Sequence, residues 1–298
     1  MILAPKEYKT KFTIYEFLRE DIEYMSYLSL TSWSLHRHLG PLSWSKWDHD
    51  KKEIVTEVEE QPLNLKLVDL PGILSEKGFQ AVEIVHAHFH STELDYLQKL
   101  CQSIKKSGIR FYTLLIDYGD ISTSDPVRRE KDMDFIKSWI DVASIAGAEN
   151  VRVVSGESSP EDIVALQRAS VQFTELCVYA KKKGVGVLTE NFRSLASTSE
   201  NCLYLLEHTD LTGLISDFGN FSGPNKLDSL KETLPKSKSV HVKALTTQDG
   251  EVDKEELENC LALLRDADYS GPLTLVYDEP GDVWKGINKV KDIVKKHI

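Results

Sequence analysis

Cysteine is scarce in this sequence. Four cysteines occur in 298 residues, at Cys101, Cys177, Cys202 and Cys260, and no two of them form a C-x-x-C pair. Scattered cysteines of this kind are typical of buried, reduced side chains and argue against a disulfide framework. The first residues are also too polar, and become charged too early, for a secretory signal peptide. Both features predict a protein of the reducing cytoplasm.

Long apolar runs and an excess of basic residues are also missing. No apolar segment approaches the roughly 20 residues that a membrane-spanning helix needs, so we expect no membrane insertion. Acidic residues number 47 and basic residues 36, which gives a net charge of -11. Because nucleic acids are bound through basic surfaces, this balance argues against a nucleic-acid partner. A small-molecule ligand fits the composition better.

Short apolar segments bounded by turn residues alternate with helical segments along most of the chain. This alternation predicts parallel strands joined by helices. The eight predicted strands are residues 27–31, 79–85, 111–116, 150–154, 185–192, 213–217, 239–243 and 272–277. Eight such units predict an α/β protein with a closed (β/α)8 TIM barrel, for which about 250 residues is typical. An open doubly wound sheet is the alternative, but no G-x-G-x-x-G motif follows the first strand.

The sequence predicts a single domain over residues 26–298, preceded by an N-terminal extension. Residues 1–25 contain no clear strand, although 13–25 could form a short amphipathic helix. We expect this segment to lie outside the barrel. Residues 44–61 are charged and show no regular period, which indicates an irregular insertion after the first strand.

Three chemically useful side chains stand at successive strand ends. Glu190 closes the fifth predicted strand, Asp217 closes the sixth, and His241 lies in the seventh. Because the carboxyl ends of barrel strands converge on one face, these side chains can meet around one ion. Carboxylate and imidazole ligands suit a divalent metal such as Mn, Co, Zn, Ni, Fe or Mg better than Ca. Alternatively, the two acids only cap the helices that follow.

Other polar side chains are candidates for substrate binding. Lys243 shares a strand face with His241 and can reach a substrate oxygen, or it is a surface lysine. Arg152 lies in an apolar strand and needs an anion, either from a substrate or from the protein. Glu83 needs a polar cavity or a partner for the same reason. His36 and His88 follow the first two strands, where they line a pocket mouth or are ordinary loop histidines.

Five short motifs, in this order, resemble the xylose isomerase-like barrel superfamily, the sugar phosphate isomerase/epimerase group. They are residues 78–83 (GFQAVE), 190–191 (EN), 217–220 (DFGN), 241–243 (HVK) and 269–273 (YSGPL). The resemblance implies one divalent metal held by Glu190, Asp217, His241 and a further glutamate from the last strand. That fourth position carries Val276 here, and Asp278 is the nearest acid that could replace it. Asn220 stands where members often have histidine, and Ala244 where they have an acid.

The resemblance implies a metal-dependent isomerase or epimerase that acts on a small sugar, keto-sugar or sugar phosphate through an enediolate. Glu190 would be ligand and base, Lys243 would assist, and the substrate-binding residues would be Glu83, His88, Arg152, Asn220 and His36. A homo-oligomer is compatible with this family.

Two alternatives stay open. A lyase that dehydrates a keto-inositol or a related polyol needs one base, so Val276 affects it less. A barrel whose site has lost catalysis would only bind a sugar. A three-zinc endonuclease of the same superfamily is disfavoured, because the acidic chain lacks its ligand set.

Overall fold

The computed structural model describes residues 26–247 and 251–298. The predicted N-terminal extension, including the helix expected over 13–25, lies outside the described residues, as does the short segment 248–250.

Eight parallel strands form a closed barrel, as the sequence predicts. In chain order the strands of the described part are β1 (Tyr27–Thr31), β2 (Leu42–Asp48), β3 (Glu53–Glu59), β4 (Ala81–Val85), β5 (Arg110–Ile116), β6 (Asn150–Val153), β7 (Gly186–Glu190), β8 (Gly213–Asp217), β9 (Ser237–Lys243) and β10 (Pro272–Val276). The barrel order is β1-β10-β9-β8-β7-β6-β5-β4, so β1 pairs with both β10 and β4 and closes the sheet. The eight barrel strands are buried along almost their whole length, which explains their continuous apolar sequences.

Eight α-helices of the described residues surround the barrel. They are α1 (Leu70–Glu76), α2 (Leu94–Ser107), α3 (Pro126–Ala146), α4 (Ile163–Lys182), α5 (Ser199–Glu207), α6 (Lys226–Thr233), α7 (Lys254–Asp266) and α8 (Val283–Val294). Side-chain caps define several of their starts. Asp125 accepts hydrogen bonds from the first turn of α3, and Asp162 does so for α4. Together with the strands, the helices enclose a continuous apolar core between sheet and helix layer.

The segment expected to be an irregular insertion is a β-hairpin. Strands β2 and β3 pair in an antiparallel register from Leu42–Glu59 to Asp48–Glu53. The charged residues at alternate positions of β3 face solvent, which hid the period of two in the sequence. The hairpin follows β1 and therefore stands at the carboxyl ends of the barrel strands, next to the short 3-10 turn His86–His88.

No helix among the described residues is both long enough and apolar enough to cross a lipid bilayer.

Candidate metal centre and substrate cavity

The barrel brings the three predicted metal ligands together. In the register of β8 and β9, Asp217 lies directly beside His241, and β7 places Glu190 next to β8. One ligand atom from each side chain lies within 4.8 Å of the other two. His241 Nδ1 is 3.5 Å from Glu190 Oε1 and 3.6 Å from Asp217 Oδ2. All three side chains are buried. Two carboxylate oxygens and an imidazole nitrogen form a donor set that fits a divalent metal ion.

Glu83 orients the imidazole ring from below. Its Oε2 lies 2.9 Å from His241 Nε2, which donates to it. Its Oε1 accepts from the hydroxyls of Ser239, at 2.6 Å, and Thr274, at 2.9 Å. This carboxylate fixes the tautomer that leaves Nδ1 free to face Glu190 and Asp217, as carboxylate partners do for metal-binding histidines. The structure thus places Glu83, expected at the substrate, inside the barrel beneath His241, where it does not border the cavity.

Glu83→Gln is expected to lower the affinity for a divalent metal by about 10- to 100-fold, because the amide binds and polarises the imidazole more weakly than a carboxylate. Isothermal titration calorimetry with Mn²⁺ and Co²⁺ measures this. Glu57→Gln on the exposed face of the hairpin is the matched control. Equal affinities in the two variants would remove Glu83 from the metal centre.

Hydrogen bonds hold the two carboxylates at fixed angles. Asp217 Oδ1 accepts from the Gly219 backbone N–H at 2.6 Å, which leaves Oδ2 facing His241. Asn191 clamps the Asp217 backbone, donating to its carbonyl at 3.0 Å and accepting from its N–H at 2.7 Å. Asn220, predicted to bind substrate, donates to Glu190 Oε1 at 3.1 Å. The metal-facing atoms are therefore positioned before any ligand binds.

The buried charges at this centre shift one another's pKa values. Burial alone would raise the pKa of Glu190, but Arg152 and His241 outweigh burial and hold that pKa below its usual value. Burial alone would lower the pKa of His241, but Glu190 and Glu83 raise it well above its usual value. The cluster thus stabilises positive charge between its carboxylates. Glu190 Oε2 is buried and accepts no hydrogen bond from the described residues, and the Arg152 guanidinium is the cation that faces it.

Arg152 is the buried cation of the site. Its Nε lies 3.0 Å from Glu190 Oε2, an ion-pair distance, although the N–H does not point at that oxygen. One terminal nitrogen pairs with Asp117 and the other donates to the Ile116 carbonyl at 3.1 Å. The anion that the sequence required for Arg152 is thus supplied by the protein. Its side chain still borders the cavity and can contact a substrate.

A cavity of about 280 Å³ opens above the three ligands. Three aromatic side chains border it together with aliphatic and polar ones. It is lined by Thr31, Trp33, Trp44, Val85, Leu115, Asp117, Arg152, Glu190, Phe192, Arg193, Asp217, Asn220, His241, Lys243, Val276 and Asp278. A concave site with apolar walls and a few convergent polar groups is typical of a small-molecule pocket.

The last barrel strand, β10, supplies no metal ligand, because it carries Val276 at the position of the expected fourth ligand. Val276 lies beside Lys243 in the register of β10 and β9, and both border the cavity. Asp278 borders it too, but accepts from Trp33 Nε1 at 3.3 Å and is not among the clustered ligand atoms. Gly219 leaves room for Lys243, because a Cβ there would approach the lysine Cδ to 2.9 Å. Lys243 is therefore a charged side chain that borders the cavity beside the position of the absent glutamate.

The two predicted loop histidines lie outside the cavity lining. His36 stacks on Trp33 with ring centroids 4.3 Å apart, so it supports the cavity wall from behind. His88 is fully buried, and its Nδ1 shares a hydrogen bond of 2.8 Å with the Ser32 hydroxyl. Burial lowers the pKa of His88 to about 3. Neither ring contacts the space above the metal ligands.

Buried neutral His88 is expected to make the protein sensitive to acid. Its pKa is about 3 when folded and about 6.5 when unfolded, so below pH 6.5 the unfolded chain binds the extra proton and stability falls with pH. Between pH 7 and 5 this costs about 2 kcal/mol. In urea unfolding across this pH range, His88→Gln should lose about 2 kcal/mol less free energy of unfolding than the wild type. His208→Asn, at an exposed site, should behave like the wild type. Parallel pH profiles for all three proteins would contradict the assignment.

Several cavity residues escaped the sequence reasoning. Asp117 directly follows β5, as Asp217 ends β8, so an acid at a strand end could have identified it as well. Trp44 belongs to the hairpin that showed no period in the sequence. Phe192 and Arg193 follow Glu190 in a loop, and the sequence does not indicate where loop side chains point.

Comparison with solved structures finds the same fold in several enzymes. An L-ribulose 3-epimerase matches with a TM-score of 0.68 and 14% identity, covering 92% of this chain and 94% of its own. The probable 3-DHS dehydratase AsbF from Bacillus anthracis matches with a TM-score of 0.65 and 18% identity, covering 90% and 98%. The 3-keto-D-glucoside 4-epimerase YcjR from E. coli matches with a TM-score of 0.61 and 17% identity, covering 77% and 94%.

At these identities the likeness of the structures shows the fold alone. No curated protein sequence matches the chain. The sequence model of a protein family, however, matches residues 72–293, which is well over half of the chain. The chain therefore belongs to the family described as the xylose isomerase-like TIM barrel.

Proposed function

We propose that the protein is a divalent-metal-dependent isomerase or epimerase of a small sugar, keto-sugar or sugar phosphate, working through an enediolate. One observation carries the proposal: Glu190, Asp217 and His241 converge within 4.8 Å beneath a cavity of the barrel. Epimerases with the same fold support the reaction class. A bound divalent metal would polarise the substrate carbonyl and stabilise the enediolate.

Glu190 is the proposed base. Its pKa is held low, so it is ionised at neutral pH, and its side chain borders the cavity. Oε1 faces His241 Nδ1, which leaves the two oxygens of one carboxylate with separate roles. Arg152 holds the carboxylate in place from the other side. The proton that Glu190 removes comes from the carbon next to the substrate carbonyl.

An isomerase or epimerase must also return the proton. Because Val276 cannot do so, we assign this role to Lys243, which lies in register beside it and borders the cavity. Asn220 and Arg152 supply hydrogen-bond donors for substrate oxygens. Trp33 and Trp44, with ring centroids 5.9 Å apart and ring planes inclined at 62°, form an apolar wall for the carbon skeleton.

A lyase is the second candidate, and Val276 is the observation that favours it. Removing a proton next to a carbonyl and expelling the neighbouring hydroxyl as water needs one carboxylate base and a general acid. Glu190 and Lys243 suffice for that. A probable dehydratase shares the fold.

Deuterium exchange tests both candidates together. The protein, supplied with Mn²⁺, is incubated in D₂O with a panel of ketoses, ketose phosphates and keto-inositols. A product that carries solvent deuterium beside the carbonyl and has the same elemental composition as the substrate supports the isomerase or epimerase. A product lighter by one water supports the lyase. If no compound exchanges although the protein binds metal, both candidates fail and a sugar-binding barrel is left.

A further inference from the structure

A second cavity of about 380 Å³ adjoins the first. It lies between the hairpin and the loops that follow β4 and β5. Its lining comprises Trp44, Ser45, Lys46, Trp47, His49, His86, Asp117, Tyr118, Gly119, Arg128, Glu157 and Arg193. Trp44, Asp117 and Arg193 border both cavities, so the two cavities lie side by side and share these three residues.

The second cavity runs along the open edge of β2. Alternate side chains of a strand point to opposite faces, yet the four consecutive residues Trp44 to Trp47 all border this space. The cavity must therefore follow the edge of the strand. In the part of the chain that the structure describes, β2 pairs only with β3, so its other edge offers unpaired backbone N–H and C=O groups. Such an edge suits a ligand with several hydroxyls.

Arg193 stands at the junction of the cavities in an unusual conformation. Its φ is 70°, in the left-handed region that side-chain-bearing residues rarely adopt. Its guanidinium carbon lies 4.9 Å from the centre of the Phe192 ring, and its NH2 group donates to the Asp117 carbonyl at 3.1 Å. Local strain of this kind persists where the surrounding structure holds it, commonly at ligand sites. The strained backbone keeps this side chain between the two spaces.

Charge in the second cavity is largely compensated. Arg128 faces Asp132 at 3.4 Å and Asp120 at 3.7 Å, and Lys46 pairs with Glu57. Arg193 lies 3.9 Å from a Glu157 oxygen. Because each cation already has a carboxylate nearby, the cavity is not built around an anion. Two tryptophans and a tyrosine in its wall instead suit the apolar C–H face of a sugar ring.

We propose that the second cavity binds a second sugar ring, so that the substrate is a glycoside or a disaccharide derivative. This inference rests on the proposed function, in which the first ring reacts above Glu190, Asp217 and His241. The second ring packs on Trp47, bonds to the open edge of β2, and lies beside Arg193, where the two cavities meet.

Ligand-observed NMR titrations of the intact protein, with and without Mn²⁺, test this directly. The probes are maltose, cellobiose and sucrose, compared with glucose and fructose. At least one disaccharide should bind about 10-fold more tightly than its component monosaccharides, a difference of one decade in Kd. In Trp47→Ala the ratio of the two affinities should fall to about one. Val58→Ala, on the exposed side of the same hairpin, should keep the wild-type ratio.

Arg193→Gly provides a second variant that retains the fold, since glycine adopts a φ of 70° without strain. It too should lose the preference for the disaccharide. Equal affinities for mono- and disaccharides in the wild type, or a preference that survives in Trp47→Ala, would overturn the inference. A preference for glucose 6-phosphate over both glucose and disaccharides, lost in Arg193→Gly, would overturn it in favour of an anion site.

Failure of this inference is distinguishable from failure of the proposed function. Disaccharide preference without any deuterium exchange would sustain the second ring site and remove the isomerase or lyase. Turnover of free ketoses by a protein without that preference would sustain the proposed function and remove the second ring site.

Discussion

Replacing Arg152 by leucine is expected to lower the free energy of unfolding by about 3–5 kcal/mol, the cost of breaking a buried ion pair from one side. The guanidinium lies between Asp117 and Glu190 and is 3% exposed, so its loss leaves two carboxylates in a buried site without their cation. Urea unfolding monitored by circular dichroism measures the change.

Arg152→Lys is the matched variant, since it keeps the charge but not the planar fork that reaches two carboxylates and a carbonyl. It should lose less stability than Arg152→Leu. Arg265→Leu, on the outer face of α7, serves as the surface control and should change stability by less than about 0.5 kcal/mol. If Arg152→Leu matched that control, the described network of charges would not stabilise the site.

Glu190→Gln is expected to lower turnover of an identified substrate by about 10²- to 10⁴-fold, the contribution typical of a positioned base. The amide preserves the shape of the side chain and can still accept from Asn220, but it cannot take a proton from carbon. Deuterium exchange beside the substrate carbonyl should fall in parallel with turnover, since both depend on the same step.

Glu207→Gln, at the exposed end of α5, controls for the loss of one negative charge and should retain full activity. Full turnover in Glu190→Gln would mean that another group removes the proton. Asp117 and Asp278, the other carboxylates of the cavity that are not clustered ligands, would then be the candidates.

The barrel was predictable because its signals are local. Each strand is a short apolar run bounded by turn residues, and each following helix has a cap or a stop that the sequence displays. The convergence of Glu190, Asp217 and His241 followed from topology alone, since neighbouring parallel strands end at one edge. Their measured proximity confirms that these three strand ends meet.

Side-chain partners could not be predicted in the same way. Glu83 was recognised as a buried acid that needs a partner, but its pairing with His241 joins positions 158 residues apart in the chain. The hairpin was missed because the outward positions of β3 are charged and a two-stranded ribbon buries little on either face. The second cavity depends on that hairpin, so it had no signal in the sequence.

The metal content of the purified protein tests the central claim most directly. Elemental mass spectrometry is applied to the tag-free wild-type protein, purified without any chelator, and to Asp217→Ala, which removes one carboxylate of the cluster. Our account predicts about one equivalent of a divalent transition metal or Mg per chain in the wild type, and its loss in the variant. A wild-type protein that holds no metal, even after reconstitution with Mn²⁺, Co²⁺, Zn²⁺, Ni²⁺, Fe²⁺ and Mg²⁺, would contradict it.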